Sequence, residues 1–249
     1  MPLLECTGLS RAWGAVRAVD GVDIAVEAGE VRAVIGPNGA GKTTLFNLIT
    51  GAVPKTAGRV VFRGEDVSRL PPHAVARRGI ARTFQVTALF PRLTALENVR
   101  LGAQAVRPDA MRPLPVGAAA AATTEAARAA LARVGLAGLA DVAAGVLSHG
   151  DQRLLEVAMA LVQRPALLIL DEPTQGMSVE ETQHTVALLG RVLAAEGTAV
   201  LLVEHDLQVV FALARRITVL HRGRRIAEGT PAEVRADAAV RDAYLGNLD

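Results

Sequence analysis

The amino-acid sequence predicts a doubly wound α/β fold, and three observations carry that expectation. Short apolar runs recur at Val31–Ile35, Leu167–Leu170 and Ala199–Val203, as strands buried on both faces require. Stretches with helical spacing alternate with them, from Thr43 to Gly51 and from Ser178 to about Ala195. The runs also end in turn or polar residues: Gly36-Pro37, Asp171-Glu172 and Glu204-His205-Asp206. In open α/β sheets, ligands sit beyond the carboxyl ends of the strands.

The elements follow in order. Residues 2–8 and 22–26 read as strands, the second bounded by Gly21 and Gly29, and 31–35 as a third. The helix after it carries Leu45, Leu48 and Ile49 and stops at Gly51. Residues 60–62 and 80–84 read as further strands. Thr94 with Glu97 three residues on is a capping box that opens a helix. Residues 104–122 hold Pro108, Pro113 and Pro115 and then an alanine run. They read as a loop, with Ala118–Ala122 as low-complexity filler before a helix of 124–134. An amphipathic helix follows over 148–163, then the strand 167–170. Ser178 and Glu181 cap the next helix.

Composition bounds the function. The chain has 249 residues, 51% hydrophobic and 21% charged, so it supports a sizeable core and is not a disordered chain. Lys+Arg is 27 against Asp+Glu 25, a net charge of +2. That near balance speaks against a nucleic-acid-wrapping protein, and none is expected as a partner. Cys6 is the only cysteine, which excludes an intrachain disulfide and a cysteine-cluster metal site. No apolar run reaches the ~18–20 residues that cross a bilayer, and no signal-peptide pattern opens the chain. The chain reads as cytoplasmic, reaching a membrane only by holding a partner.

Gly36-Pro37-Asn38-Gly39-Ala40-Gly41-Lys42-Thr43 fits the G-x-x-x-x-G-K-[ST] spacing between a strand and a helix, and Thr44 continues it. Glycines let backbone amides turn inward around phosphate oxygens, and the helix N-terminus adds partial positive charge. Lys42 reaches the β- and γ-phosphates, and the Thr43 hydroxyl suits Mg²⁺. Lysine occurs only twice in the chain, at Lys42 and Lys55, so its presence in this loop is chemically pointed. Asp171, at a strand end, suits Mg²⁺ through water, and Glu172 is placed to polarise an attacking water. Taken alone that pair also reads as surface charge, and His205 as a structural histidine. Beside a phosphate loop, His205 reads as a γ-phosphate contact.

With these residues, the chain resembles the ATP-binding subunits of ABC transporters over almost its whole length. Leu147-Ser148-His149-Gly150-Asp151-Gln152 is similar to the family's signature motif, and Gln85 matches the Q-loop glutamine. Glu172 matches the catalytic glutamate and His205 the switch histidine. Trp13 falls where the family stacks an aromatic ring on adenine, a core position being the other reading of that residue. Arg82-Thr83-Phe84-Gln85, Leu89–Asn98 and the closing Ala243–Gly246 are similar to the branched-chain amino-acid uptake type, specifically its G-type ATPase subunit. The chain departs from the pattern in three places. His149 replaces a glycine, Asp151 a glutamine, and Ser178 the aspartate common in the D-loop.

The resemblance implies a P-loop NTPase with a mostly parallel core sheet, an antiparallel β subdomain and a helical subdomain at approximately 86–163, all in one ATP-binding domain over 1–249. It implies ATP and Mg²⁺ as cofactors, with Gln85 also at the metal. Ser148 and Gly150 would complete the ATP site of a second ATP-binding subunit, a copy or a paralogue. The implied machine adds two transmembrane permease subunits, with the stretch 85–100 as docking surface, and indirectly a periplasmic or extracellular binding protein. The cassette would lie on the cytoplasmic face of the cell membrane, with Glu172 as base and Lys42, Ser148 and His205 stabilising charge. Urea or amide importers and lipopolysaccharide-export ATPases share much of this wording. A DNA-associated ATPase would show a long coiled coil or zinc modules, and a translation-associated one two ATPase domains in one chain.

Overall fold

The computed structural model describes residues 1–83, 89–107 and 118–245. Its centre is a six-stranded sheet. In chain order the strands are β3 (Val31–Ile35), β6 (Ile80–Arg82), β7 (Leu167–Asp171), β8 (Ala199–Val203), β9 (Arg216–His221) and β10 (Arg224–Gly229). Their spatial order is β10-β9-β3-β8-β7-β6, parallel throughout except for the β9–β10 hairpin. A second, antiparallel sheet has the order β2-β1-β4-β5, from β1 (Leu4–Trp13), β2 (Val16–Val26), β4 (Ala57–Phe62) and β5 (Glu65–Asp66).

Side-chain alternation along the central strands splits the core in two. Leu168, Leu170, Val200 and Leu202 face a layer built on α3 (Ala95–Ala105), α4 (Ala118–Arg133), α5 (His149–Leu161) and α6 (Val179–Glu196). Leu167, Ile169, Leu201 and Val203 face the other way, toward α1 (Lys42–Ile49) and the antiparallel sheet. Every residue of β7 and β8 is buried, so each leucine there contributes about 1.5–3 kcal/mol. The outer elements are α2 (Pro72–Arg77), α7 (Leu207–Leu213), α8 (Pro231–Ala236) and α9 (Ala238–Leu245).

Several expectations are corrected. The first strand runs on past residue 8 to Trp13 and the second starts at Val16, well before residue 22, because Gly8 and Gly21 do not bound them. Both take positive φ inside the ladder, where the β1–β2 register shifts, and glycine inside a strand marks such irregularities. The alanine run at 118–122 is helix, not filler: α4 begins at Ala118, as alanine's helix propensity favours. The β9–β10 hairpin went unread because its turn is Arg222-Gly223, both at positive φ, within a polar stretch. The capping boxes of Thr94 with Glu97 and of Ser178 with Glu181 both form. Phe84, Gln85 and the prolines of 108–115 lie outside the described residues.

Gly102 of α3 explains how the helices fit together. A Cβ there would stand 2.6 Å from the Met159 carbonyl oxygen of α5, so only glycine lets these backbones approach. From the first turn of α3, the buried Asn98 amide accepts from the Phe90 N–H at 2.8 Å and donates to the Phe90, Leu93 and Thr94 carbonyls. One side chain therefore fixes the turn at 90–94.

Candidate active site

The loop between β3 and α1 wraps a polar cavity of about 380 Å³ lined by Ala18, Asn38 to Thr44, Glu172 and His205. Two of its glycines are forced by close approach. A Cβ on Gly36 would lie 2.1 Å from the Leu220 carbonyl oxygen, and one on Gly41 2.3 Å from that of Ala18. Gly41 also takes φ 103° at the N-cap of α1, with no side-chain cap and no acidic residue in the first turn. The first amides of α1 are thus left to an external acceptor, the arrangement that binds anions.

Lys42 is almost fully buried, and its Nζ donates to the carbonyls of Gly36 at 2.7 Å and Pro37 at 3.1 Å. Burial lowers its pKa below the usual lysine value, while Glu172 and Asp171 partly oppose the shift. Its neighbours across the cavity come from the ends of β7 and β8. Glu172 is buried, adopts φ 51°, and its amide donates to Val203 O at 2.9 Å. Its Oε1 lies 2.7 Å from His205 Nε2. A non-glycine residue in the left-handed region is held there by its surroundings, here by pairing to the neighbouring strand.

Asp171 sits one residue deeper. Its Oδ2 accepts from Arg82 Nη2 at 2.8 Å, while its Oδ1 is buried without a hydrogen-bond partner. A buried carboxylate oxygen left unpaired is costly, and a cation or its water beside the Thr43 hydroxyl would satisfy it. Among the described residues no cluster of three His, Cys, Asp or Glu forms. That donor set suits Mg²⁺, which keeps waters and takes phosphate oxygens with one or two protein ligands.

Three residues have a hand in this site that the sequence reading did not give them. Arg82 joins Asp171 to Asn47 of α1, its Nη1 lying 2.6 Å from Asn47 Oδ1. Its signal was an arginine closing the otherwise apolar strand 80–82. Buried Glu204 accepts from Thr174 N at 2.9 Å and Thr174 Oγ1 at 2.7 Å through Oε1, and from His205 N at 3.1 Å through Oε2. It clamps the loops that carry Glu172 and His205. Tyr244 of α9 packs back toward this loop: burial pushes its phenol pKa up to about 12, and the nearby Gly36 backbone partly opposes that shift.

Other expected residues lie elsewhere. Ser148 and Gly150 stand at the N-terminus of α5 and do not line this cavity. The Ser148 hydroxyl donates to Asp151 Oδ2 at 2.8 Å and accepts from the Asp151 amide at 3.1 Å, so the departure at Asp151 has a local use. Ser178 serves as N-cap of α6. Trp13 is half-exposed at the end of β1 under the Arg11 guanidinium, 4.7 Å from the ring centroid. It belongs to neither hydrophobic core, which removes the core reading. A second, more apolar cavity of about 370 Å³ opens between α3 and α5, with Arg82, Thr83, Phe90, Leu101, Gly102, Ala105, Glu156, Met159, Ala160 and Gln163 as walls.

A glycine-rich loop opening a helix on a mainly parallel sheet, with Asp-Glu and histidine at the ends of adjoining strands, defines a class: P-loop ATPases. Comparison with known proteins makes the class specific. The chain belongs to the ABC transporter family of ATP-binding cassettes, whose model matches residues 19–175. A model described as branched-chain amino acid ATP-binding cassette transporter matches residues 224–247. The chain is 38% identical to the high-affinity branched-chain amino acid transport ATP-binding protein BraF of Pseudomonas aeruginosa, covering 98% of each. It is 36% identical to LivG of Escherichia coli, again over 98% of each. Among solved structures, the ADP conformation of an ATP-binding cassette of an ABC transporter matches with TM-score 0.87 and 32% identity, over 99% of each chain. A cassette solved as a dimer in a post-hydrolysis state with ADP and Pi matches with TM-score 0.78 and 26% identity, over 92% of this chain and 98% of that one.

Proposed function

We propose that this ATPase is the energy-coupling subunit of a membrane importer for branched-chain or other hydrophobic amino acids, working on the cytoplasmic face of the cell membrane. The match of residues 224–247 to the branched-chain model and two relatives named for that transport support the cargo class. No described helix is long and apolar enough to cross a membrane, so the path itself falls to permease subunits. The groove between α3 and α5 is the docking place we assign to them, next to the 85–100 stretch. A binding protein outside the membrane delivers the cargo.

One observation carries the mechanism: the cavity gathers Lys42, Thr43, Glu172 and His205, while Ser148 and Gly150 stay away from it. A single chain thus holds two half-sites. Two subunits, copies or paralogues, pair head to tail, and Ser148 and Gly150 of the second close over the ATP of the first. Asn38 to Thr44 cradle the phosphates, with Gly36 and Pro37 supporting Lys42 from behind, and Trp13 takes the adenine ring. Thr43, Asp171 and Gln85 would hold Mg²⁺, which neutralises charge on the β- and γ-phosphate oxygens. Glu172 accepts the proton of the attacking water, and its 2.7 Å contact to His205 fixes its direction. Lys42, His205 and Ser148 of the second subunit then share the charge growing on the γ-phosphoryl group. Gln85 reports the site to the permease.

Glu172→Gln tests this. The variant is expected to bind Mg²⁺-ATP, to lose at least 100-fold of its turnover as general-base removal does, and to shift to twice the monomer mass in ATP but not in ADP. Full steady-state turnover would overturn the role of Glu172, and a monomer mass in ATP would overturn pairing of identical copies.

A further inference from the structure

His149 stands where the family pattern has glycine, and its ring is engaged. His149 Nε2 lies 3.0 Å from the Gln175 carbonyl oxygen. A carbonyl only accepts, so Nε2 carries the proton and donates. The ring fits because residue 176 is glycine: a Cβ there would meet Nε2 at 3.0 Å and Cδ2 at 3.2 Å. The Gln175 amide in turn donates to the Glu172 carbonyl at 3.1 Å. Glu181, which caps α6 through Ser178, stands close by, its Oε1 3.5 Å from where a Cβ on Gly150 would lie. An unbroken run of bonds therefore leads from the backbone of Glu172, through Gln175, to the residue beside Ser148.

We infer that His149 is a positioning residue that latches the Ser148 segment to the loop behind Glu172 within one subunit, and so couples the two ATP sites of a dimer. This rests on the head-to-tail reading above. There, Glu172 serves the chain's own ATP and Ser148 serves the other, so a bond joining them within one chain joins the two sites. With glycine at 149 that bond has no donor.

Amide exchange on the nucleotide-free chain reads the latch alone. His149→Ala is expected to speed exchange at Met177 and Ser178 about fivefold, the ratio that one exposed neutral hydrogen bond supplies. His149→Gln keeps an N–H donor of similar reach and restores the protection. Steady-state ATPase then reads the coupling: the Hill coefficient for ATP drops to 1 in His149→Ala and recovers in His149→Gln, while nucleotide affinity of the single chain stays within about twofold. Unchanged exchange overturns the latch. Altered exchange with an unchanged Hill coefficient, or a wild-type coefficient of 1, overturns the coupling. The dimer reading fails separately, when Glu172→Gln keeps its monomer mass in Mg²⁺-ATP, and the exchange result still decides whether the latch exists.

Discussion

Trp13 and Tyr244 are the only tryptophan and the only tyrosine in the chain, so each can be watched without interference. With Trp13 against adenine, ATP changes the fluorescence of the native protein. Trp13→Ala then weakens ATP binding about tenfold, the order that base stacking contributes, and leaves kcat in place. Tyr244 gives the pH test. Its folded phenol titrates near 12 because burial disfavours the phenolate, although the nearby Gly36 backbone pulls the other way. The neutral phenol therefore favours the fold fully below pH 10 and loses that contribution as pH rises from 10 through 12. Tyrosinate absorbance should rise near pH 12 in the native protein and near 10 in denaturant. Tyr244→Phe leaves the chain without a tyrosine and should abolish both rises. Which residues the sequence revealed follows from chemistry. Lys42 and Thr43 stand in a contiguous spelling. Arg82 and Glu204 act through partners that are far away in the chain, Asp171 and Thr174, and no local pattern announces such pairs.

Element by element, the strands and helices that were legible are those whose burial is one-sided or complete. β7 and β8 are apolar runs because both faces are covered, and the capped starts of α3 and α6 are written in four residues each. What escaped was decided by backbone behaviour, such as the glycines that carry β1 and β2 onward at positive φ. Gly102 tests that lesson. In an exposed helix, glycine to alanine stabilises by about 0.5–1 kcal/mol. Here the added Cβ meets the Met159 carbonyl at 2.6 Å, so Gly102→Ala should destabilise by about 1–3 kcal/mol and lower the melting temperature. A raised melting temperature would show that α3 and α5 slide apart freely.

At the scale of the whole molecule, the separation of Ser148 from the cavity has a direct readout. Lys42→Ala and Ser148→Ala should each be inactive alone. Mixed in equal amounts they should recover about a quarter of wild-type turnover, because random pairing makes half the dimers mixed and each mixed dimer holds one intact site. No recovery on mixing would mean that both sites must be whole. The two cores meet across one sheet, and Arg82 stands where that sheet borders the α3–α5 groove, bonded to Asp171 and Asn47 while it walls the groove. Anyone refitting this cassette to a foreign permease therefore has fewer free choices than the groove's outline suggests. Phe90, Leu101, Ala105 and Gln163 are replaceable wall, but exchanging Arg82 for a better-fitting neighbour would retune the motor along with its mount.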